Sequence, residues 1–166
     1  MKESLIEVAL GKKPADLILK NGNIIDVFTE TTFTADIAIV NGKIAGVGSY
    51  DNAQEIIDVT GKYIMPGFIN THCHVESSMA SPEDYVREEL RWGVTTLITD
   101  PHEIANIKGK DGILYMLRAG GQMPVNYYVE VPSCVPATPF EHNGSVMHAQ
   151  DMEELLSEPG VLGMGE

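Results

Sequence analysis

Disulfide chemistry has little material here: among 166 residues only Cys73 and Cys134 are cysteines. Two are too few for a disulfide scaffold, and a reduced thiol pair in a cytoplasmic setting is the expectation. Long apolar runs are also missing. None approaches the roughly 18 residues of a membrane span. The opening Met-Lys-Glu-Ser-Leu-Ile-Glu-Val lacks the uninterrupted apolar core of a signal peptide. Positive charge is scarce, with 11 Lys and Arg against 24 Asp and Glu and a net charge of −13. That balance excludes the clustered basic surface needed by a nucleic acid backbone or an anionic membrane, so neither is an expected partner. What the chain does have is 43% apolar residues, enough for a real core in one ordinary domain or pieces of two.

The first 65 residues read as short strands after a short helix at 4–10, which Gly11 and Pro14 end. Strand-like runs cover 16–20, 23–28, 36–40, 43–47 and 55–59. Asn21-Gly22 and Asn41-Gly42 separate neighbouring runs, and Asn-Gly between apolar strands is the strongest short hairpin signal. A small antiparallel, sandwich-like segment over 1–65 is therefore expected, with no chemistry suggested in it.

From residue 66 the pattern changes to apolar strands alternating with helices. Phe68 and Ile69 start a short strand, expected to be buried, that ends at His72-Cys73-His74. Ser81-Pro82-Glu83-Asp84 is a helix start: a serine cap, a proline suited to the first turn, and acids at the positive end of the dipole. Further strands are predicted over 94–99, 125–131 and 161–165, and further helices over 111–119 and 151–157. Strand and helix alternating with short links imply βαβ units and a parallel sheet. Reactive residue types recur at strand ends: His72, Asp100, Cys134 and Glu166 are 28, 34 and 32 residues apart, each near the roughly 30 of one βα unit. Active sites of (β/α)8 barrels lie at such ends. No Gly-x-Gly-x-x-Gly supports an open dinucleotide-binding sheet instead. The expectation for 66–166 is the first four strands of a (β/α)8 TIM-type barrel, an α/β architecture whose full form needs roughly 250 residues. A chain holding half of it reads as the front part of a longer protein.

Chemistry concentrates in a few residues. An isolated His-x-His is more often two ordinary histidines. Here the pair closes a strand, where residues two apart share a face, so His72 and His74 are candidate metal ligands while Cys73 faces the other way. Glu166 follows the glycine-rich Val-Leu-Gly-Met-Gly and is a third candidate ligand, against the alternative of a solvated terminal glutamate. Asp100-Pro101-His102-Glu103 packs two acids and an imidazole into four residues, able to hold substrate or orient water. His102 is its best candidate for catalysis; Asp100 and Glu103 could equally be a helix cap with solvated neighbours. Ser133, in the rigid Pro-Ser-Cys-Val-Pro turn, either faces substrate or satisfies the turn. His142 and His148 read as surface residues. His74-Val75-Glu76 is also the His-x-Glu of zinc nucleobase deaminases, but the Pro-Cys-x-x-Cys that should accompany it is missing, because residue 137 is alanine.

The His-x-His segment resembles the signature of the amidohydrolase superfamily, metal-dependent hydrolases on a (β/α)8 barrel. His-Cys-His-Val-Glu-Ser-Ser at 72–78, Asp-Pro-His-Glu-Ile-Ala-Asn at 100–106, Pro-Ser-Cys-Val-Pro-Ala-Thr at 132–138 and Gly-Met-Gly-Glu at 163–166 together resemble the adenine deaminase family of bacteria and archaea. The resemblance runs through essentially the whole chain. It implies hydrolytic conversion of adenine to hypoxanthine and ammonia at a centre of two divalent transition metal ions, Mn, Fe or Zn. It further implies His72 and His74 on one ion, Glu166 bridging both, and His102 at the water or substrate; Asp100 and Ser133, from the residue reading above, are the candidate substrate contacts. The remaining ligands and the general base would lie on later strands, so the chain alone is expected to be inactive and to associate, with itself or with a covering partner. Adenine and further copies of the chain are the expected partners. Asn70, where an aspartate is common, departs from the family pattern, as does Glu141-His142-Asn143. Rival readings are a cyclic-amide hydrolase, whose family bridges its metals with a carboxylated lysine where Glu166 stands, and a non-catalytic metal-binding module.

Overall fold

The structure, a computed structural model, describes residues 2–166. They divide into two compact units, Met1–Pro66 and Gly67–Glu166.

In the first unit, helix α1 (Lys2–Ala9) precedes strands β1 (Ala15–Asp26), β2 (Thr31–Val40), β3 (Lys43–Gly48), β4 (Ala53–Asp58) and β5 (Tyr63–Ile64). They form one sheet of order β3-β2-β1-β4, with β5 also on β1. Val8 from the helix packs with Ala15, Ile18, Ala38 and Val40 of the sheet. The second Asn-Gly does what its chemistry predicts. Asn41 and Gly42 take φ of 51° and 68° and turn β2 antiparallel onto β3.

Two expectations for this unit are corrected. Asn21-Gly22 makes no hairpin: β1 runs straight through it, and the pair is a bulge in the β1–β2 ladder between Leu19 and Gly22. Asn21 takes the left-handed conformation, φ 60°, and its N–H donates to Asp36 Oδ1 at 2.9 Å. A Cβ at Gly22 would run into Ile64 Cδ1. An Asn-Gly pair supplies positive φ to a bulge as readily as to a turn. The sheet is also mixed rather than antiparallel, because β4 and β5 both pair in parallel with β1.

The second unit alternates. Strands β6 (Phe68–Cys73), β7 (Val94–Thr99), β8 (Asn126–Val131) and β9 (Val161–Met164) are joined through helices α2 (Pro82–Arg91), α3 (His102–Lys108), α4 (Lys110–Gly120) and α5 (Ala149–Leu156). The four strands are all parallel and lie side by side in chain order. Ser81 caps α2 by accepting from Asp84 N at 3.2 Å, and Pro82 follows as its first residue. The core is one cluster in which Leu97, Tyr127, Val129 and Val131 of the sheet meet Val86, Ala105, Ile113 and Leu155 of the helices. Helix α3 is outside the helices predicted from periodicity, and only the alternative of Asp100 as a helix cap allows for it. Its seven residues show too little apolar periodicity to stand out from the polar Asp-Pro-His-Glu run. Phe68 and Ile69, expected to be buried, are 53% and 58% exposed, because β6 is an edge strand of this sheet. Among the described residues, no helix is long and apolar enough to cross a membrane.

Asp36 ties the first unit together. It is buried and accepts from Asn21 N, Tyr50 N and Lys20 Nζ, each at 2.9 Å. Burial alone would raise its carboxyl pKa, but the two backbone donors and the ammonium outweigh that and hold it below the ordinary range. A lowered folded pKa gives stabilisation that is complete above the unfolded value, roughly 4, and is lost as pH falls through the folded one. Asp36→Ala should cost about 1–3 kcal/mol, the penalty of leaving buried donors unpaired. Urea denaturation followed from neutral pH to pH 2 should show the parent losing stability on acidification more steeply than the variant. Parallel pH profiles would contradict this role for Asp36.

Candidate metal centre

The four parallel strands bring their C-terminal ends to one edge of the sheet, where the side chains singled out in the sequence gather. β6 delivers His72, with His74 just beyond its end; β7 delivers Asp100 and His102; β8 is followed by Ser133 and Cys134, and β9 by Glu166. Backbone bonds lock these ends together. Asp100 N donates to Cys73 O at 2.9 Å, Gly165 N to Val131 O at 2.8 Å and Ser133 N to Glu166 O at 2.9 Å.

His72 and His74 do share a face. Their Nε2 atoms are 3.2 Å apart, and Glu166 Oε1 lies 3.2 Å from each. Cys73, between them, points into the helix-side core, with Sγ 3.7 Å from Ile98 O. Burial pushes its thiol pKa up to about 11. His74 Nδ1 sits 2.7 Å from the Asp100 carbonyl. A carbonyl only accepts, so Nδ1 carries the proton and the neutral ring keeps a bare lone pair on Nε2. That lone pair faces a second imidazole nitrogen and a carboxylate oxygen. Three electron-rich atoms in one small space call for something electropositive between them.

The donor set fits a divalent transition ion. Imidazole and carboxylate suit Zn, Fe and Mn alike. Ligands roughly 2.1 Å from an ion stand roughly 3.0–3.4 Å from one another at octahedral or tetrahedral angles, and the 3.2 Å separations agree. Either imidazole can also carry a proton on Nε2 and donate it to Glu166. His72, then His74, hydrogen-bonds Glu166 and holds its carboxyl below the ordinary range. Partial burial works against protonation of His74. The Asp100 carbonyl and the Glu103 and Glu166 carboxylates overcome it, and the His74 pKa is raised.

Asp100 is completely buried. Its Oδ2 accepts from Glu166 N at 3.0 Å, while Oδ1 has no hydrogen-bond partner and faces His102 Nδ1 at 3.6 Å. His102 Nε2 in turn lies 3.5 Å from Cys134 Sγ. Ser133 is exposed and joins the cluster through its N–H. Glu103 takes a hydrogen bond from Ser77 Oγ and stands 3.7 Å from His74 Nδ1. Glu76 anchors the start of α3 by accepting from Ile104 N at 3.1 Å. His142 and His148 are exposed, and neither belongs to the potential ligand groups found among the described residues. One acid at this edge was missed: Glu130, inside β8, whose Oε2 is 3.7 Å from His72 Nδ1. The signal available was a lone acid in the strand Asn-Tyr-Tyr-Val-Glu-Val.

A family model described as the amidohydrolase family matches residues 63–162. The chain belongs to the amidohydrolase family. It is 48% identical over 164 residues to adenine deaminase 2 of Carboxydothermus hydrogenoformans, a match covering 99% of this chain and 29% of that protein. The chain thus spans less than a third of the length of the curated relatives it matches. Among solved structures, D-hydantoinase (dihydropyrimidinase) from Thermus sp. is similar at TM-score 0.57 and 28% identity, over 70% of this chain and 27% of that one. Atrazine chlorohydrolase TrzN from Arthrobacter aurescens TC1, complexed with zinc, shares the fold at TM-score 0.61 and 18% identity, over 89% of this chain and 46% of that one.

The link between Asp100 and the Glu166 backbone leaves no room for a side chain at 165. A Cβ there would run into Asp100 Oδ2 and come within 2.7 Å of its Cγ. Gly165→Ala should therefore destabilise the protein by about 1–3 kcal/mol, the usual cost of overpacking. Chemical denaturation measures it, and an unchanged midpoint would show that this contact does not constrain the cluster.

Proposed function

We propose that this amidohydrolase chain is the front portion of an enzyme that hydrolyses adenine to hypoxanthine and ammonia, with His72, His74 and Glu166 as metal ligands. The observation that carries the reading is the convergence of three lone-pair donors, aimed at one point, in a chain 48% identical to an adenine deaminase along nearly its whole length. The sheet supports the architecture. Four parallel strands in unbroken chain order have no reversal point of the kind an open doubly wound sheet uses. On this reading residues 66–166 contribute the first half of a (β/α)8 barrel, and 1–65 a segment of a composite sandwich domain. The ions are Mn, Fe or Zn, probed as two per active site; the two free thiols suit a cytoplasmic setting, and the working form is a homo-oligomer.

A divalent ion held here supplies Lewis acidity and a water deprotonated near neutral pH. The chain's own residues set the stage. His74 keeps its proton on Nδ1 against the Asp100 carbonyl and turns Nε2 inward. Glu166 presents Oε1 to the two histidines and would share with them in holding the metal. Asp100 grips the Glu166 backbone, and its complete burial favours this bracing role over direct contact with substrate. His102, one side toward Asp100 and the other toward Cys134, is placed to hold a proton beside the substrate, and Ser133 lines the rim. The water oxygen ends on C6 of adenine, and the displaced amino group leaves as ammonia.

The likeness to D-hydantoinase favours a second reading, hydrolysis of a cyclic amide. Glu166, standing where that family is expected to place a carboxylated lysine, favours the deaminase. An ammonia assay on the full-length protein separates the two: release from adenine in preference to adenosine or cytosine is expected, and silence with adenine alongside ring opening of a dihydropyrimidine would overturn the proposal.

The metal ligands have their own test. His72→Ala combined with His74→Ala should remove one bound ion per chain and lower turnover at least ~1,000-fold, the scale of losing several kcal/mol of transition-state stabilisation. Metal analysis with unchanged stoichiometry would refute the assignment.

A further inference from the structure

The two histidines of the cluster are held differently. The Nδ1 of His74 is fixed by a backbone carbonyl, that of Asp100. Among the described residues, no such carbonyl bonds His72. Its Nε2 faces His74 and Glu166, and among the described residues the charged group on its Nδ1 side is Glu130, 3.7 Å away.

Glu130 is otherwise unexplained. Tyr127, Val129 and Val131 of β8 are buried in the helix-side core, so by strand alternation Tyr128 and Glu130 point to the other face. A glutamate there is only 28% exposed and bears a desolvation cost unless it is paired. His72 is its one ionic or hydrogen-bonding side-chain partner among the described residues. Asp100, whose Oδ1 lacks a donor, offers a ligand atom within 4.8 Å of those of the same pair.

A carboxylate beside one ring nitrogen favours the tautomer that carries the proton there. We propose that Glu130 is a positioning residue for His72: it keeps the proton on Nδ1 and thereby leaves the Nε2 lone pair directed at the metal position. The 3.7 Å separation exceeds a hydrogen bond and lies within ion-pair distance, so the influence of Glu130 on His72 is electrostatic. Carboxylates in this role raise ligand basicity and fix ring orientation, and their loss weakens metal binding about 10- to 100-fold. The inference rests on the reading of His72 as a metal ligand.

Zinc affinity and stoichiometry, measured by chelator competition on the metal-free full-length protein, test it with five proteins: parent, E130A, E130Q, H72A and the double variant H72A/E130A. E130A should bind zinc about 10- to 100-fold more weakly with the same number of ions. E130Q, which keeps an acceptor oxygen beside Nδ1, should recover part of the loss and melt with the parent. In the H72A background, E130A should cost nothing further. Parent-like affinity in E130A overturns the inference. So does an equal loss with or without His72, or an ion missing from both Glu130 variants, which would make Glu130 a ligand. If H72A itself leaves affinity and stoichiometry untouched, the metal assignment fails first and the inference with it.

Discussion

The carboxylate of Asp100 is cut off from water where the ends of three strands meet, and a charge in that position is tolerable only if it is hydrogen-bonded or paired. Its partners are the residues of the candidate centre. The side chain accepts from the Glu166 backbone, the main-chain carbonyl accepts from His74, and the remaining oxygen looks toward His102. Moving Asp100 would change the approach of Glu166, the tautomer of His74 and the electrostatic surroundings of His102 together. The glycine at 165 is part of the same constraint, since any Cβ there would occupy the carboxylate's place.

The two units treat a buried acid differently. Asp36 in the first is saturated by two backbone N–H groups and a lysine, and its effect is to stabilise a bulge and a loop. Asp100 in the second has one of its oxygens without a donor. A satisfied carboxylate contributes stability and little else. An unsatisfied one, set among histidines and further acids, leaves a buried lone pair without a donor. The edge of the second sheet carries further acids, with Glu103, Glu130 and Glu166 beside the two histidines.

Much of this was legible in the linear chain, because strand alternation and capping are local. His72 and His74 two apart at a strand end, Cys73 turned the other way, the Ser81-Pro82 start of α2 and the Asn41-Gly42 turn all follow from backbone periodicity and side-chain chemistry within a few residues. Asn21-Gly22 shows the limit of local reading. The same dipeptide suits a turn or a bulge, and the choice belongs to the partners: β2 paired on one side, β4 and β5 on the other, and the Ile64 side chain against Gly22.

The exposure of Phe68 and Ile69 likewise depends on what lies beside β6, which no local pattern states. Glu130 looked like an ordinary residue of a strand; only the parallel packing of β6, β7 and β8 sets it against His72, 58 positions away in the chain. Asp100 could have been a helix cap until its burial placed it under Glu166. By itself, then, the amino-acid sequence determined which residue types stand at each strand end and which way neighbouring side chains alternate, since those depend on spacing along one strand. The tertiary structure alone decided which of them share a proton or a charge, since distances of 3 to 4 Å between strands are set by sheet register and burial rather than by spacing along the chain.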